Sequence, residues 1–442
     1  MLLIYSSAIT PRLRYVLDFI GSQLFDTPLT ITADQSYYSE YQGPRLNYSE
    51  QRITENEFHL CPVPLLLEKG IQRQAIQCHL HNDLKVFYPT TGDYPFDVFA
   101  ATFYLLSRYE EYLPHQKDEL GRYAFQYSLA FREGFLQEPL VDKWLDDLQQ
   151  VLQQRFPELI FRRKQFNCLL TYDIDIAYAY KNRGRERAFG GLLQSLYQGE
   201  WREAGQRLRV LRGKEKDPYD CFEWLDALHL YCRVKPVFFF LVARNRSRYD
   251  KNCPTSVKPF RELIEYYARN YIVGLHPSWR SGDEEGLLRE EKEWLEVIAD
   301  RPIEASRQHY LRFTLPQTYR RLVQEGIRKD YSMGYGTVNG FRASVASPFF
   351  WYDLEREEQT PLQLHPFCYM DTNSCFQMNH TPGQAYRELM GFYTQVKKYK
   401  GQFVAIWHNS TLGTHPRFDG WREMYELFMK ETVYWDAYQD AG

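Results

Sequence analysis

The sequence predicts an α/β protein: a distorted (β/α) barrel of about seven strands over residues 166–442, preceded by a smaller α/β domain over residues 1–160. Three observations carry this expectation. From Leu169 onward, apolar runs of strand length alternate with helical stretches, the pattern of a parallel sheet. Most of those runs end in polar residues, with Asp, His and Arg prominent, and barrels of this kind build their sites at the carboxyl ends of the strands. The length, 442 residues, exceeds one ordinary domain.

The runs are taken in order. Leu169–Tyr172 ends in Asp173 and Asp175, and Val237–Val242 ends near Arg244 and Asn245. Ile272–Leu275 runs into His276-Pro277-Ser278, and Ile303–Ala305 into Ser306, Arg307 and His309. A short piece at Ile327 leads to Asp330, Leu362–Leu364 to His365, and Phe403–Trp407 to His408-Asn409. Before the barrel, Met1–Ser7 reads as a first strand, followed by an N-cap at Thr10, a first-turn proline at Pro11 and a helical stripe of Leu13, Val16, Leu17 and Ile20. Strand-like pieces recur at Leu29–Thr32, His59–Pro62 and Val86–Tyr88. Amphipathic helices are expected over Asp97–Tyr112 and Val141–Phe156. Residues 161–164 form the expected linker. His79 and His81 share one strand face, a pattern that a surface strand explains without metal.

Composition narrows the function. A net charge of −3 argues neither for nucleic acid nor for an anionic membrane surface, so no nucleic-acid partner is expected. Eight cysteines without a CxxC pair or zinc-finger spacing read as reduced thiols, and the first residues lack the basic flank and long apolar core of a signal peptide, so a cytoplasmic protein without a membrane span is expected. Aromatic residues are abundant at 17%, which suits either a sugar-binding groove or a plain core. The stretch 181–216 is basic, and a solvated helical insertion is its simplest reading.

Asp173 and Asp175 lie one residue apart at a strand end, so both side chains share a face. Two carboxylates held that close repel unless a cation lies between them or one takes up a proton. Asp is also common in ordinary strand-end turns, and it is the later segments that favour chemistry. One Asp and two His around a cation leave positions open for water and a substrate oxygen. A free carboxylate can then accept a proton, and a His on the opposite side can protonate a departing amine. His276, His309 and His408 are the candidates, with His365 and His380 behind them.

These residues also carry a resemblance. Thr171-Tyr172-Asp173-Ile174-Asp175 resembles the first motif of the polysaccharide deacetylase family (NodB-homology type), and Leu275-His276-Pro277-Ser278 resembles its metal-histidine motif. Ser306-Arg307-Gln308-His309-Tyr310-Leu311-Arg312 falls where an arginine motif is expected, and Trp407-His408-Asn409 resembles the last histidine motif. Asp330-Tyr331-Ser332 and Gly340-Phe341-Arg342-Ala343 are similar to segments of divergent members. The resemblance covers roughly residues 166–415, and residues before it are similar to the extra domain of a bacterial subgroup.

The resemblance implies a distorted barrel that hydrolyses N-acetyl groups on sugars with zinc or another divalent metal. It implies Asp173 as base, Asp175 and His276 as metal ligands, and His408 as the acid at the leaving amine. Arg307 matches an arginine that orients the base, Arg342 is a second candidate for that task, and Asp330 is a candidate partner tuning His408. The family's second metal histidine lies four residues beyond the first, where this chain has Arg280, so His309 is expected to replace it. The expected function is a metal-dependent carbohydrate N-deacetylase acting on an amino sugar of a polysaccharide or its precursor. A catalytically silent carbohydrate-binding barrel and a hydrolase of a non-sugar C–N bond are the alternatives.

Overall fold

The computed structural model describes residues 1–183, 190–191, 196–197 and 199–434. The rest of the expected basic insertion, residues 184–189, 192–195 and 198, lies outside the described residues, and its later part forms the helix Trp201–Leu211.

Near the amino terminus four parallel strands, β1 (Leu3–Ser6), β2 (Thr30–Thr32), β3 (Arg45–Tyr48) and β4 (Phe58–His59), stand in the order β2-β1-β3-β4. The helix Pro11–Leu24 begins where expected: the Thr10 hydroxyl accepts from Leu13 N at 3.1 Å, and Leu13, Val16, Leu17 and Ile20 are buried. A hairpin of β5 (His79–His81) and β6 (Leu84–Val86) follows, turning through Asn82 and Asp83, both left-handed. The helix expected over 97–112 stops at Leu106. Arg108 is left-handed, and its buried guanidinium turns back to pair with Glu110 at 2.9 Å and Glu111 at 2.8 Å. The helix Leu140–Arg155 buries Leu145, Leu148 and Leu152 as expected.

The large sheet has nine strands: β7 (Asn167–Ile174), β8 (Val237–Leu241), β9 (Ile272–His276), β10 (Ala305–Ser306), β11 (Lys329–Asp330), β12 (Phe349–Asp353), β13 (Glu358–Leu364), β14 (Tyr369–Met370) and β15 (Gln402–His408). Their order is β12-β13-β11-β10-β9-β8-β7-β15-β14, and every pairing is parallel except β12 with β13. The parallel α/β expectation holds, but the sheet does not close into a barrel among the described residues. The far edge of β13 is taken by antiparallel β12, so β14 has only β15 as a partner. Residues 365–368 cross the opening instead: His365 N donates to Asp330 O at 2.8 Å and Cys368 N to Val404 O at 3.2 Å. A chain advances at most about 3.5 Å per residue, so the two ends of the parallel run face each other across a short gap and the sheet is strongly curled.

Period-two alternation sorts the side chains of this curled sheet. Leu170, Tyr172, Phe238, Phe240, Phe403 and Trp407 enter the main core. The intervening residues Leu169, Val237, Phe239, Ala305, Tyr331, Val404 and Ile406 form small clusters on the concave side. Gly274 belongs to that side, where a Cβ would lie 2.5 Å from the Phe239 ring. The main core continues without a break into the amino-terminal elements. Among the described residues no helix is long and apolar enough to cross a membrane.

Candidate functional site

The alternation that sends Leu169 and Thr171 to the concave side carries Asp173 and Asp175 there too, at the carboxyl end of β7. His276 and His408 end β9 and β15 in the same way, with His408 paired in register with Asp173. Arg307 lies two residues past Ala305 on the same side, its guanidinium 4.5 Å over the Phe239 ring. His309 stands on the turn that follows β10, where Tyr310 and Leu311 are both left-handed.

Asp175, His276 and His309 converge, each offering one ligand atom within 4.8 Å of the others. Asp175 Oδ1 lies 3.1 Å from His276 Nε2 and 3.7 Å from His309 Nε2. Two ligands at about 2.1 Å from a tetrahedral ion are separated by about 3.4 Å, so these spacings suit a shared cation.

The outer nitrogens agree with this reading. His276 Nδ1 donates to the Arg307 carbonyl at 2.5 Å, and His309 Nδ1 donates to Asp250 at 3.0 Å. With the Nδ1 protons committed to those acceptors, both Nε2 atoms face Asp175, and in their neutral form the two rings would offer lone pairs to a cation between them. Asp175 Oδ1 is buried and has no hydrogen-bond partner. An orphaned carboxylate oxygen facing two imidazole lone pairs is a donor set that fits a divalent cation. Burial opposes charge on Asp175, yet His309, His276 and His408 hold its carboxyl below the usual range. Burial likewise opposes charge on His276, while Asp173 and Asp175 raise its pKa.

Two further pairs flank this cluster. Arg307 Nη1 donates to Asp173 Oδ1 at 2.8 Å, leaving Oδ2 at 4.0 Å from His276 Nε2. Across the site, His408 Nδ1 donates to Asp371 Oδ1 at 2.7 Å, and its Nε2 is 3.8 Å from Asp175 Oδ2. Burial disfavours the imidazolium of His408, but Asp371 outweighs it, helped by Asp175 and Asp173, and pushes the pKa up to about 9. Asp371 is itself fixed by the backbone N–H of His408 and the hydroxyl of Thr411. Asp173, Asp175, His276, His309 and His408 open onto one cavity of about 270 Å³, shared with Tyr310, Asn373 and Arg122.

The other residues singled out in the sequence lie elsewhere. Asp330 does not reach His408. Its carboxylate accepts from the Ser306 and Ser332 hydroxyls, both at 2.9 Å, and so ties β10 to the turn after β11. Arg342 does not orient Asp173. It is buried against Glu111, with Nε and Nη2 donating at 2.8 and 2.6 Å, while Arg307 is the arginine that pairs with Asp173. Arg280 is a surface residue paired with Glu284 at 2.6 Å. His365 Nδ1 donates to Gln402 Oε1 at 2.8 Å and its ring stacks on Tyr331, and burial pushes its pKa down to about 4. His380 stands 3.5 Å from Glu388, away from the cluster.

Sequence reasoning missed Asp250, Asp371 and Arg122. Asp371 carries a detectable signal, since Tyr369-Met370-Asp371 repeats the strand-end placement of Tyr172-Asp173. Asp250 has none, because it lies nine residues past the end of β8 in a polar loop.

The comparisons with known proteins add the following. A family of unknown function (DUF7033) matches residues 2–157. No curated protein matches the chain. Among solved structures, a candidate polysaccharide deacetylase from Mycobacterium smegmatis is 14% identical, with 61% of this chain and 84% of that one covered and a TM-score of 0.40. A polysaccharide deacetylase from Bacillus cereus is also 14% identical, with 61% and 88% covered and a TM-score of 0.29.

Proposed function

We propose that this chain is a metal-dependent hydrolase that removes N-acetyl groups from an amino sugar of a polysaccharide or its precursor. In this reading the curled, open sheet carries the chemistry at the carboxyl ends of its strands, and residues 1–160 serve as an accessory domain. The observation that carries the reading is the convergence of Asp175, His276 and His309, with the Asp173–Arg307 pair on one side and the His408–Asp371 pair on the other. The motif resemblance around the same residues supports it.

Asp175, His276 and His309 would hold the ion, with zinc the first candidate from an Asp/His/His donor set. When bound, a divalent ion supplies Lewis-acid polarisation of the acetamide carbonyl and acidifies water. The chain's own residues do the rest. Asp173, with Oδ1 clamped by Arg307, turns Oδ2 inward and accepts a proton from the attacking water as its oxygen adds to the carbonyl carbon. His408, kept protonated by Asp371, donates a proton to the amide nitrogen as the C–N bond breaks. The products are the free amine and acetic acid, which ionises to acetate; the proton taken up by Asp173 replaces the one given by His408, so the enzyme returns to its starting state.

Acetate release from N-acetylated amino-sugar oligomers, measured on zinc-loaded protein, tests this. We expect turnover by the wild type and a loss of about 10²-fold or more in Asp173→Ala with zinc content retained. A zinc-loaded wild type that binds such oligomers and releases no acetate supports the binding-only alternative.

A further inference from the structure

Arg122 enters the catalytic cavity from a part of the chain that contributes none of the ligands. Its loop is built around one side chain. Lys117 and Tyr123 pair across it, Gly121 turns it at φ 77°, and Asp118 clamps it from within. The Asp118 carboxylate accepts from the backbone N–H of Leu120 at 3.0 Å, from that of Arg122 at 2.9 Å, and from Arg122 Nε at 2.7 Å. Arg122 is 7% exposed, and its Nη1 donates to the Tyr310 carbonyl at 2.9 Å. It lies so close over Gly336 that a Cβ there would come 2.1 Å from Nη1.

One edge of the guanidinium fork is thus fixed. Nη2 makes no hydrogen bond among the described residues, and Arg122 lines the cavity with Asp175, His276 and His408. A carbonyl staple for the 309–311 turn needs a single N–H, and a neutral amide would serve. A buried cation clamped by its own carboxylate costs more than that role requires, because desolvating both charges is expensive. Clamping by Asp118 also cancels the net charge, so the free N–H groups suit neutral oxygen acceptors and no counter-ion is called for.

We propose that Arg122 is a specificity-determining residue that donates from Nη2 to hydroxyl oxygens of the sugar whose acetamide occupies the site, so that the amino-terminal region completes the substrate pocket. This rests on the deacetylase reading and narrows the substrate to a neutral, hydroxyl-bearing amino sugar.

The test uses the full chain loaded with zinc and two probes, the N-acetylglucosamine tetramer and its galacto-configured counterpart, with acetate release followed for KM and kcat. Arg122→Gln removes the fork. Gly336→Ala displaces it by a methyl group without touching any charge. For whichever probe the wild type prefers, both variants should raise KM about 10-fold or more, as expected for loss of a charged hydrogen-bond donor. They should leave kcat within about threefold and zinc content unchanged, and Arg122→Lys should fall between them and the wild type. An unchanged KM overturns the proposal, as does a loss confined to kcat and zinc content, which would mark Arg122 as a staple for His309. If Arg122→Gln fails to fold, Gly336→Ala and Arg122→Lys decide the matter by the same criteria. A zinc-loaded wild type that releases acetate from neither probe overturns the deacetylase reading and this inference with it. An active wild type with unaffected variants overturns this inference alone.

Discussion

Asp250 Oδ1 lies 3.0 Å from His309 Nδ1 and 2.8 Å from the backbone nitrogen of Trp279. Ser247 donates to its other oxygen at 3.0 Å. The loop after β8 therefore fixes which nitrogen of His309 carries the proton and turns the other toward Asp175. On the proposed metal reading, this carboxylate would make His309, a residue on an irregular turn, into an oriented ligand.

If that is its task, Asp250→Asn should weaken metal affinity about 10- to 100-fold while the protein stays folded, since the amide can still accept a hydrogen bond but loses the charge. A competitive titration against a chromophoric chelator reads this directly. Affinity equal to wild type would remove Asp250 from the account.

Asp371 plays the corresponding part for His408, which stands outside the Asp175, His276 and His309 cluster. Asp371→Asn should lower kcat about 10- to 100-fold with metal affinity within a few-fold of wild type. Matched measurements of turnover and metal binding separate it from Asp250→Asn, and a loss of metal in Asp371→Asn would contradict the division of labour.

The amino-terminal elements are joined to the turn after β11 by buried charge. Glu111 takes Arg342 at 2.6 Å and Arg108 at 2.8 Å, and Arg342 also donates to the Gly334 carbonyl at 3.1 Å. Burial pushes the Glu111 carboxyl up, but Arg342 and then Arg108 outweigh it and bring the pKa down to about 2, from an ordinary value of 4.5. A carboxyl depressed in the folded state stabilises it above the unfolded pKa, and that stability is lost as pH falls from about 4.5 toward 2. Glu111→Gln leaves two guanidinium groups short of a buried counter-charge and should cost about 3–5 kcal/mol near neutral pH. Denaturant midpoints should show the gap between variant and wild type narrowing as pH falls from about 4.5 toward 2. A gap independent of pH would mean that packing, and not charge, sets the cost.

Much of this was legible in the sequence because β7, β8, β9 and β15 are apolar runs with a strict side-chain period, and the period itself brings Asp173, Asp175, His276 and His408 to one side. Arg307 follows from the same rule. The errors arose where regular periodicity stops. β12 is an aromatic run, Phe349–Asp353, that looks as much like a core segment as an edge strand, and its antiparallel pairing with β13 is what leaves the sheet open. Arg342 and Asp330 sit near motif-like segments, yet their partners, Glu111 and Ser306, are fixed by long-range packing that no local pattern reveals. Asp250 and Arg122 reach the site from irregular loops, where spacing along the chain says nothing about proximity.

The central claim is that Asp175, His276 and His309 hold one divalent ion. Zinc stoichiometry of the purified, zinc-equilibrated protein, measured by mass spectrometry for the wild type, Asp175→Ala, His276→Ala, His309→Ala and Asp173→Ala, tests it most directly. The account predicts about one equivalent in the wild type and in Asp173→Ala, and far below one in the other three. Equal zinc in the wild type and His309→Ala, or none in the wild type, would contradict it.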